Sequence, residues 1–223
     1  MSDSSVLFNI IGNDSKKLFT PGPLLTKQSV KEAMLVDYGS RDIEFMKSID
    51  FIRSKLLDIA GVSSSDYTSV IMQGSGTFGN ESCIQTMTPR DKSANYLIIE
   101  NGAYGQRLRK ICQLLDIKCS MISFPEERAV DISAVENYLK KTKGFTHVGV
   151  IHNETTAGVL NDVEALGQLI KKYLPGIIYQ VLFTIYVYNN CFFLLILKLI
   201  NNYRFNIFRR FDERFRCYTS RFS

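Results

Sequence analysis

Apolar residues recur at helical spacing at Ile43, Met46, Ile49, Ile52, Leu56 and Ile59. Such a stripe predicts an amphipathic helix from Asp42, and Gly61 is placed to end it. A shorter helix, capped by Thr26, is predicted through Val30, Ala33 and Met34. After these the pattern changes to short apolar runs that alternate with helical periods. Strands are predicted at Tyr67–Met72, Tyr96–Ile99, Ile117–Ile122 and His147–Ile151. Helices are predicted from Thr77, over Tyr104–Leu115, Ile132–Lys141 and Val163–Tyr173. Strand–helix alternation of this kind implies βαβ units and a parallel sheet, covered by helices on both faces. No internal repeat is visible.

The pattern changes again after Pro175, and composition changes with it. Of 27 basic and 22 acidic residues, 20 of each precede that position. The remaining seven basic and two acidic residues carry the whole net charge of +5. The first 175 residues are therefore neutral overall, and no nucleic-acid-binding face is indicated. Residues 176–223 hold 13 of the 26 Phe and Tyr residues and no Ala, so they read as a separate hydrophobic and basic tail. Residues 1–16 read as a flexible N-terminal arm. With acidic Asp3 and no basic leader, they fit neither a signal peptide nor an Arg-rich transit peptide. The five cysteines show no paired spacing and read as reduced thiols, with Cys83, Cys112 and Cys119 packing as small apolar residues.

Three loops at predicted strand ends can carry chemistry, because ligands of open parallel sheets bind at the carboxyl ends of the strands. Gln73-Gly74-Ser75-Gly76-Thr77 offers hydroxyls and backbone N–H groups at a helix start, suited to a phosphate. The same residues also make a tight turn. Asn101-Gly102-Ala103-Tyr104-Gly105-Gln106-Arg107 places an aromatic ring between glycines, either over a flat ligand or half-buried at a helix start. His152-Asn153-Glu154-Thr155-Thr156-Ala157-Gly158 gathers hydrogen-bonding groups beyond a buried strand, for a ligand or for capping. His147 and His152 lie an odd number of residues apart, on opposite strand faces, which argues against a shared metal.

Taken in order, these segments resemble the class V aminotransferases, in particular the branch acting on aminoethylphosphonate. The carrying residues are Leu18-Phe19-Thr20-Pro21-Gly22-Pro23, Val30-Lys31-Glu32-Ala33-Met34, Gly39-Ser40-Arg41-Asp42, Tyr67-Thr68-Ser69-Val70, Gln73-Gly74-Ser75-Gly76-Thr77, Asn101-Gly102-Ala103-Tyr104-Gly105 and Glu154-Thr155-Thr156-Ala157-Gly158. The resemblance implies an incomplete large domain of the type I pyridoxal-phosphate fold over residues 17–175. That fold is a three-layer α/β/α architecture on a mostly parallel sheet, here followed by an unrelated tail. It implies pyridoxal 5′-phosphate as cofactor, with Ser75, Gly76 and Thr77 on its phosphate, Tyr104 stacked on its ring, and Thr155 near its ring hydroxyl. Gly22 is implied in the substrate pocket. Arg41 either faces an anionic substrate or pairs with a nearby carboxylate. The implied reaction moves an amino group from 2-aminoethylphosphonate to pyruvate, in a cytoplasmic or mitochondrial homodimer. The runner-up is an alanine–glyoxylate or serine–pyruvate aminotransferase.

The chain departs from that pattern after Pro175. The family's cofactor-linking lysine and its carboxylate for the pyridine nitrogen have no counterpart, since Lys198 lies in an unrelated apolar run and Asp212 and Glu213 lie among arginines. No residue is therefore assigned a catalytic role, and this chain is expected to be inactive as a transaminase, either alone or as a fragment pairing with full-length subunits. Two readings of the tail stay open. Residues 177–200 are long enough to span a bilayer and to place the chain at a membrane. Alternatively, the tail has the composition of translated A/T-rich noncoding DNA.

Overall fold

The computed structural model of the chain describes residue 19, residues 25–182 and the backbone of residues 192–198. The N-terminal arm and Gly22 lie outside the described residues. Two helices come first, α1 (Gln28–Ala33) and α2 (Ile43–Ala60). The N-cap of α1 is Lys27, with no side-chain cap, rather than the expected Thr26. Gly61 ends α2 in the left-handed conformation, as its sequence position implies.

The strands and helices then alternate: β1 (Tyr67–Gln73), α3 (Gly76–Met87), β2 (Asn95–Glu100), α4 (Ala103–Leu114), β3 (Lys118–Ser123), α5 (Ile132–Lys141) and β4 (His147–Ile151). A small hairpin follows, β5 (Asn153–Glu154) with β6 (Val159–Leu160), then α6 (Val163–Tyr173), β7 (Ile178–Leu182) and β8 (Phe192–Lys198). Side-chain caps start three of the helices. Ser75 accepts from Phe78 N–H, Asp131 from Ser133 and Ala134, and Asp162 from Ala165.

Four strands form a parallel sheet in the order β3-β2-β4-β7. Alternate residues of each strand feed opposite layers, as the two-residue strand period requires. Leu97, Ile99, Val148 and Val150 pack with Val135 and Leu139 of α5 and with Leu166 and Ile170 of α6. Tyr96, Ile98, Ile151 and Leu182 pack on the other side with Ile84 of α3 and with Leu108, Ile111 and Cys112 of α4. The expected mostly parallel, helix-covered sheet is what the chain forms.

The described residues beyond Pro175 do not support a membrane-spanning helix. No helix spans 177–200: its described parts are two strands. β7 extends the parallel sheet through pairs running from His147↔Ile178 to Ile151↔Leu182. β8 runs antiparallel to β1 from Tyr67↔Lys198 to Gln73↔Phe192. Each segment pairs its backbone along one edge with a neighbouring strand. A lone spanning segment must satisfy its backbone groups internally, as a helix does. Among the described residues no helix is long and apolar enough to cross a membrane.

A second expectation is met only in part. The apolar stripe of α2 is not a core stripe along its whole length. Ile43 is 65% exposed and Phe51 62%, and only Leu57 and Ala60 are buried. The C-terminal half of α2 lies against β1, where Arg53 donates to the Ser69 carbonyl at 2.9 Å and the Ser69 hydroxyl donates to the Arg53 carbonyl at 3.0 Å. The N-terminal half, together with Val30, Met34, Leu35, Val36 and Tyr38, forms an open apolar surface.

Candidate active site

Three loops leave the carboxyl ends of β1, β2 and β4, and side chains join them in a row. The glycine loop brings Ser75, Gly76 and Thr77 to the start of α3. The Ser75 hydroxyl is the cap of that helix, accepting from Phe78 N–H at 3.2 Å. The first intrahelical bond runs from Gly79 N–H to the Ser75 carbonyl, so the N–H groups of Gly76 and Thr77 precede the helical ladder. A side chain at Gly76 would meet nothing within 4 Å. The Gly76 and Thr77 N–H groups make no bond among the described residues and stand at the positive end of a helix dipole.

Arg107 supplies the link to the second loop. Its guanidinium donates to the Thr77 hydroxyl at 3.2 Å and lies over the Tyr104 ring at 5.1 Å from the centroid. One face of Tyr104 is therefore occupied by a cation. Two glycines flank this tyrosine for steric reasons. A Cβ at Gly102 would sit 2.4 Å from Glu154 Cγ, and one at Gly105 would sit 2.3 Å from Glu100 Cβ.

The third loop meets the second through Glu154, which is fully buried. Its carboxylate accepts from the Tyr104 backbone N–H at 3.1 Å and from the Thr156 hydroxyl at 2.6 Å. Thr155 stands between these two residues on the β5–β6 turn, half-buried. Beneath the loops, Asn101 and Asn161 exchange side-chain hydrogen bonds of 3.0 and 2.8 Å. Asn161 also donates to the Ile151 carbonyl and accepts from Val130 N–H, both at 2.9 Å. This buried network fixes the second and third loops relative to one another.

The structure thus gathers Ser75, Gly76, Thr77, Tyr104 and Thr155 on loops at one end of the fold. It does not gather Arg41, which is exposed ahead of α2 and makes no hydrogen bond or ion pair among the described residues. Sequence reasoning assigned no role to Arg107, Glu154, Asn101 or Asn161. Glycines at 102 and 105 were the available signal of close packing there. Burial pushes the Cys83 and Cys112 thiols up to about 12 and raises that of Cys119 as well.

The phosphate end and one ring face of pyridoxal phosphate fit this arrangement: open helix-start donors, two hydroxyls, a guanidinium and an aromatic ring. Among the described residues, the reactive end finds no lysine and no carboxylate at the end of β7. β7 ends on Val181 and Leu182, with no carboxylate. Lys198 pairs with Tyr67, the first residue of β1, whereas the glycine loop follows the last. Six strand steps put those ends about 20 Å apart.

No protein-family model matches the chain. It is 42% identical over 156 residues to a bifunctional phosphonoacetaldehyde hydrolase/aminoethylphosphonate transaminase of Clostridioides difficile (strain 630), covering 70% of this chain and 24% of that protein. It is 42% identical over 149 residues to the 2-aminoethylphosphonate–pyruvate transaminase of Lactiplantibacillus plantarum, covering 67% of this chain and 40% of that one. For a Bacillus anthracis protein of the same name the figures are 38% over 156 residues, 70% and 42%. The chain therefore spans less than half the length of these curated relatives.

Solved structures agree on the fold. An alanine–glyoxylate aminotransferase from Nostoc sp. superposes with a TM-score of 0.67 over 76% of this chain and 44% of its own, at 24% identity. A pyridoxamine–pyruvate aminotransferase from Mesorhizobium loti gives 0.66 over 76% and 42%, at 22% identity. Over the 70% of its length that aligns, this chain is similar in sequence to the 2-aminoethylphosphonate–pyruvate transaminases, and it shares the fold of part of these aminotransferase structures.

Proposed function

We propose that the chain carries the phosphate-anchoring and ring-stacking part of a transaminase that moves the amino group of 2-aminoethylphosphonate to pyruvate. The products are phosphonoacetaldehyde and alanine. The observation that carries this reading is the unbroken row Thr77–Arg107–Tyr104–Glu154–Thr156, which joins the three loops the family uses. Ser75 and Thr77 each accept a hydrogen bond within the protein, which leaves both hydroxyl protons to donate to a phosphate. The N–H groups of Gly76 and Thr77 add two donors, and Arg107 adds charge. Charge-assisted bonds of this kind contribute about 1.5–3 kcal/mol each. Tyr104 covers the ring and Thr155 meets its polar edge. The cofactor, when bound, supplies the electron sink for amino transfer.

This chain alone does not complete the reaction in this reading, because β7 ends without a carboxylate and Lys198 pairs at the far end of β1 from the glycine loop. No contact among the described residues recruits Arg41 to the substrate, and Gly22 lies outside the described residues. The open apolar surface of α1 and α2 supports a homodimer, with a second copy covering it.

The test is calorimetric titration of the full chain with pyridoxal 5′-phosphate and with inorganic phosphate at low salt. Both bind, and Arg107→Ala weakens both about tenfold. Absence of saturable binding of either ligand overturns the anchoring role. Alanine formation from 2-aminoethylphosphonate and pyruvate by this chain alone overturns the incompleteness.

A further inference from the structure

We infer that Glu154 is a positioning residue that caps α4 from a distant loop and thereby holds Tyr104 against the third loop. Helix α4 begins after Gly102, which has no side chain to cap it and makes no side-chain cap bond. The first N–H groups of a helix lack intrahelical partners and need an acceptor from elsewhere. Glu154, fifty residues along the chain, provides it: Oε2 accepts from Tyr104 N–H at 3.1 Å. Its other oxygen takes the Thr156 hydroxyl at 2.6 Å.

Three features make this a built arrangement rather than a chance contact. Glu154 is fully buried, where polar oxygens need hydrogen-bond partners, and each of its two has one. Gly102 is the residue that lets it approach, since any Cβ there would lie 2.4–2.9 Å from Glu154 Cγ, Cδ and Oε2. The negative carboxylate also stands at the positive end of the α4 dipole. The glycine ahead of Tyr104 and the glutamate ahead of Thr155 are therefore two halves of one joint. That joint sets the gap between the Tyr104 ring and Thr155. The consequence for a bound ring rests on the proposed cofactor reading; the capping itself does not.

The experiment compares the full chain with Glu154→Gln and Glu154→Ala. Amide hydrogen exchange reads the Tyr104 N–H, and titrations read the affinity for pyridoxamine 5′-phosphate and for inorganic phosphate. Glutamine keeps an oxygen acceptor, so Tyr104 protection and pyridoxamine phosphate affinity stay within about threefold of the parent. Alanine removes the acceptor. Exchange at Tyr104 then rises about tenfold or more, and pyridoxamine phosphate affinity falls about tenfold while phosphate affinity holds. If alanine leaves Tyr104 protected, the capping role is wrong. If Tyr104 loosens but both ligands weaken equally, Glu154 does not position the ring. Should Glu154→Ala fail to fold, Gly102→Ala replaces it: its methyl displaces the carboxylate, and Tyr104 must again lose protection relative to Glu154→Gln. A parent that binds phosphate but not pyridoxamine phosphate refutes the cofactor reading, while the exchange measurement still decides the cap.

Discussion

Asn161 binds four partners with one carboxamide, and all of them lie on segments that position the loops: both side-chain atoms of Asn101, the Ile151 carbonyl and the Val130 N–H. Replacing it with alanine leaves buried donors and acceptors unpaired. The expected loss is about 2–4 kcal/mol, read as a lower urea midpoint with an unchanged slope. His147 acts differently. It is 2% exposed, stacked on Tyr96 at 4.4 Å, and its Nε2 must donate to the Met87 carbonyl at 3.1 Å because a carbonyl only accepts. That leaves Nδ1 to accept from the Thr146 hydroxyl at 2.7 Å. Burial holds the imidazole below the usual histidine value, against a weaker opposing effect of the Met87 bond. In the unfolded chain the ring takes up a proton near pH 6.5, while the folded chain resists it. Stability is thus fully present above about pH 6.5 and falls as the pH drops below it. Urea midpoints between pH 5 and pH 8 check this, and His147→Gln is expected to flatten the slope.

Strand β7 carries an anomaly at the scale of the element. Gln180 is 6% exposed, and neither side-chain polar atom has a partner among the described residues. Tyr179 belongs to the α5–α6 layer and Leu182 to the α3–α4 layer, so strand alternation puts Gln180 on the α3–α4 side, within an apolar layer. Gln180→Leu is expected to raise stability by about 1–2 kcal/mol, seen as a higher melting temperature. Most elements were legible in the sequence for identifiable reasons. Three of the four helices after β1 carry their own caps in Ser75, Asp131 and Asp162, and α2 ends at Gly61. β2 and β4 are short apolar runs because both faces are covered. The β5–β6 hairpin was not legible, since two-residue strands carry no period. The strands within 177–200 were not either, because an unbroken apolar run cannot tell a buried strand from a helix. In the site, the loops were visible and their joints were not. A buried glutamate and an exposed arginine acquire their roles only from what the fold sets beside them.

Among the described residues of the molecule, one apolar face stays uncovered. Met34, Leu35, Val36, Ile43, Met46, Phe51 and Ile52 lie open along α1 and α2. Sedimentation of the full chain is expected to show a concentration-dependent dimer, which Ile43→Lys with Phe51→Lys shifts to monomer; a monomeric parent at micromolar concentration would count against the homodimer. The β1–β8 pairing has a consequence in time rather than in space. The crossovers of the parallel sheet are local, whereas β1 waits for a partner about 120 residues further along the chain. At a synthesis rate of about 5–20 residues per second, that edge of β1 stays unpaired for several seconds or more on the ribosome. The slowest step of folding is then the closing of this pair, and a holding chaperone that covers β1 during that interval should raise the yield of native chain.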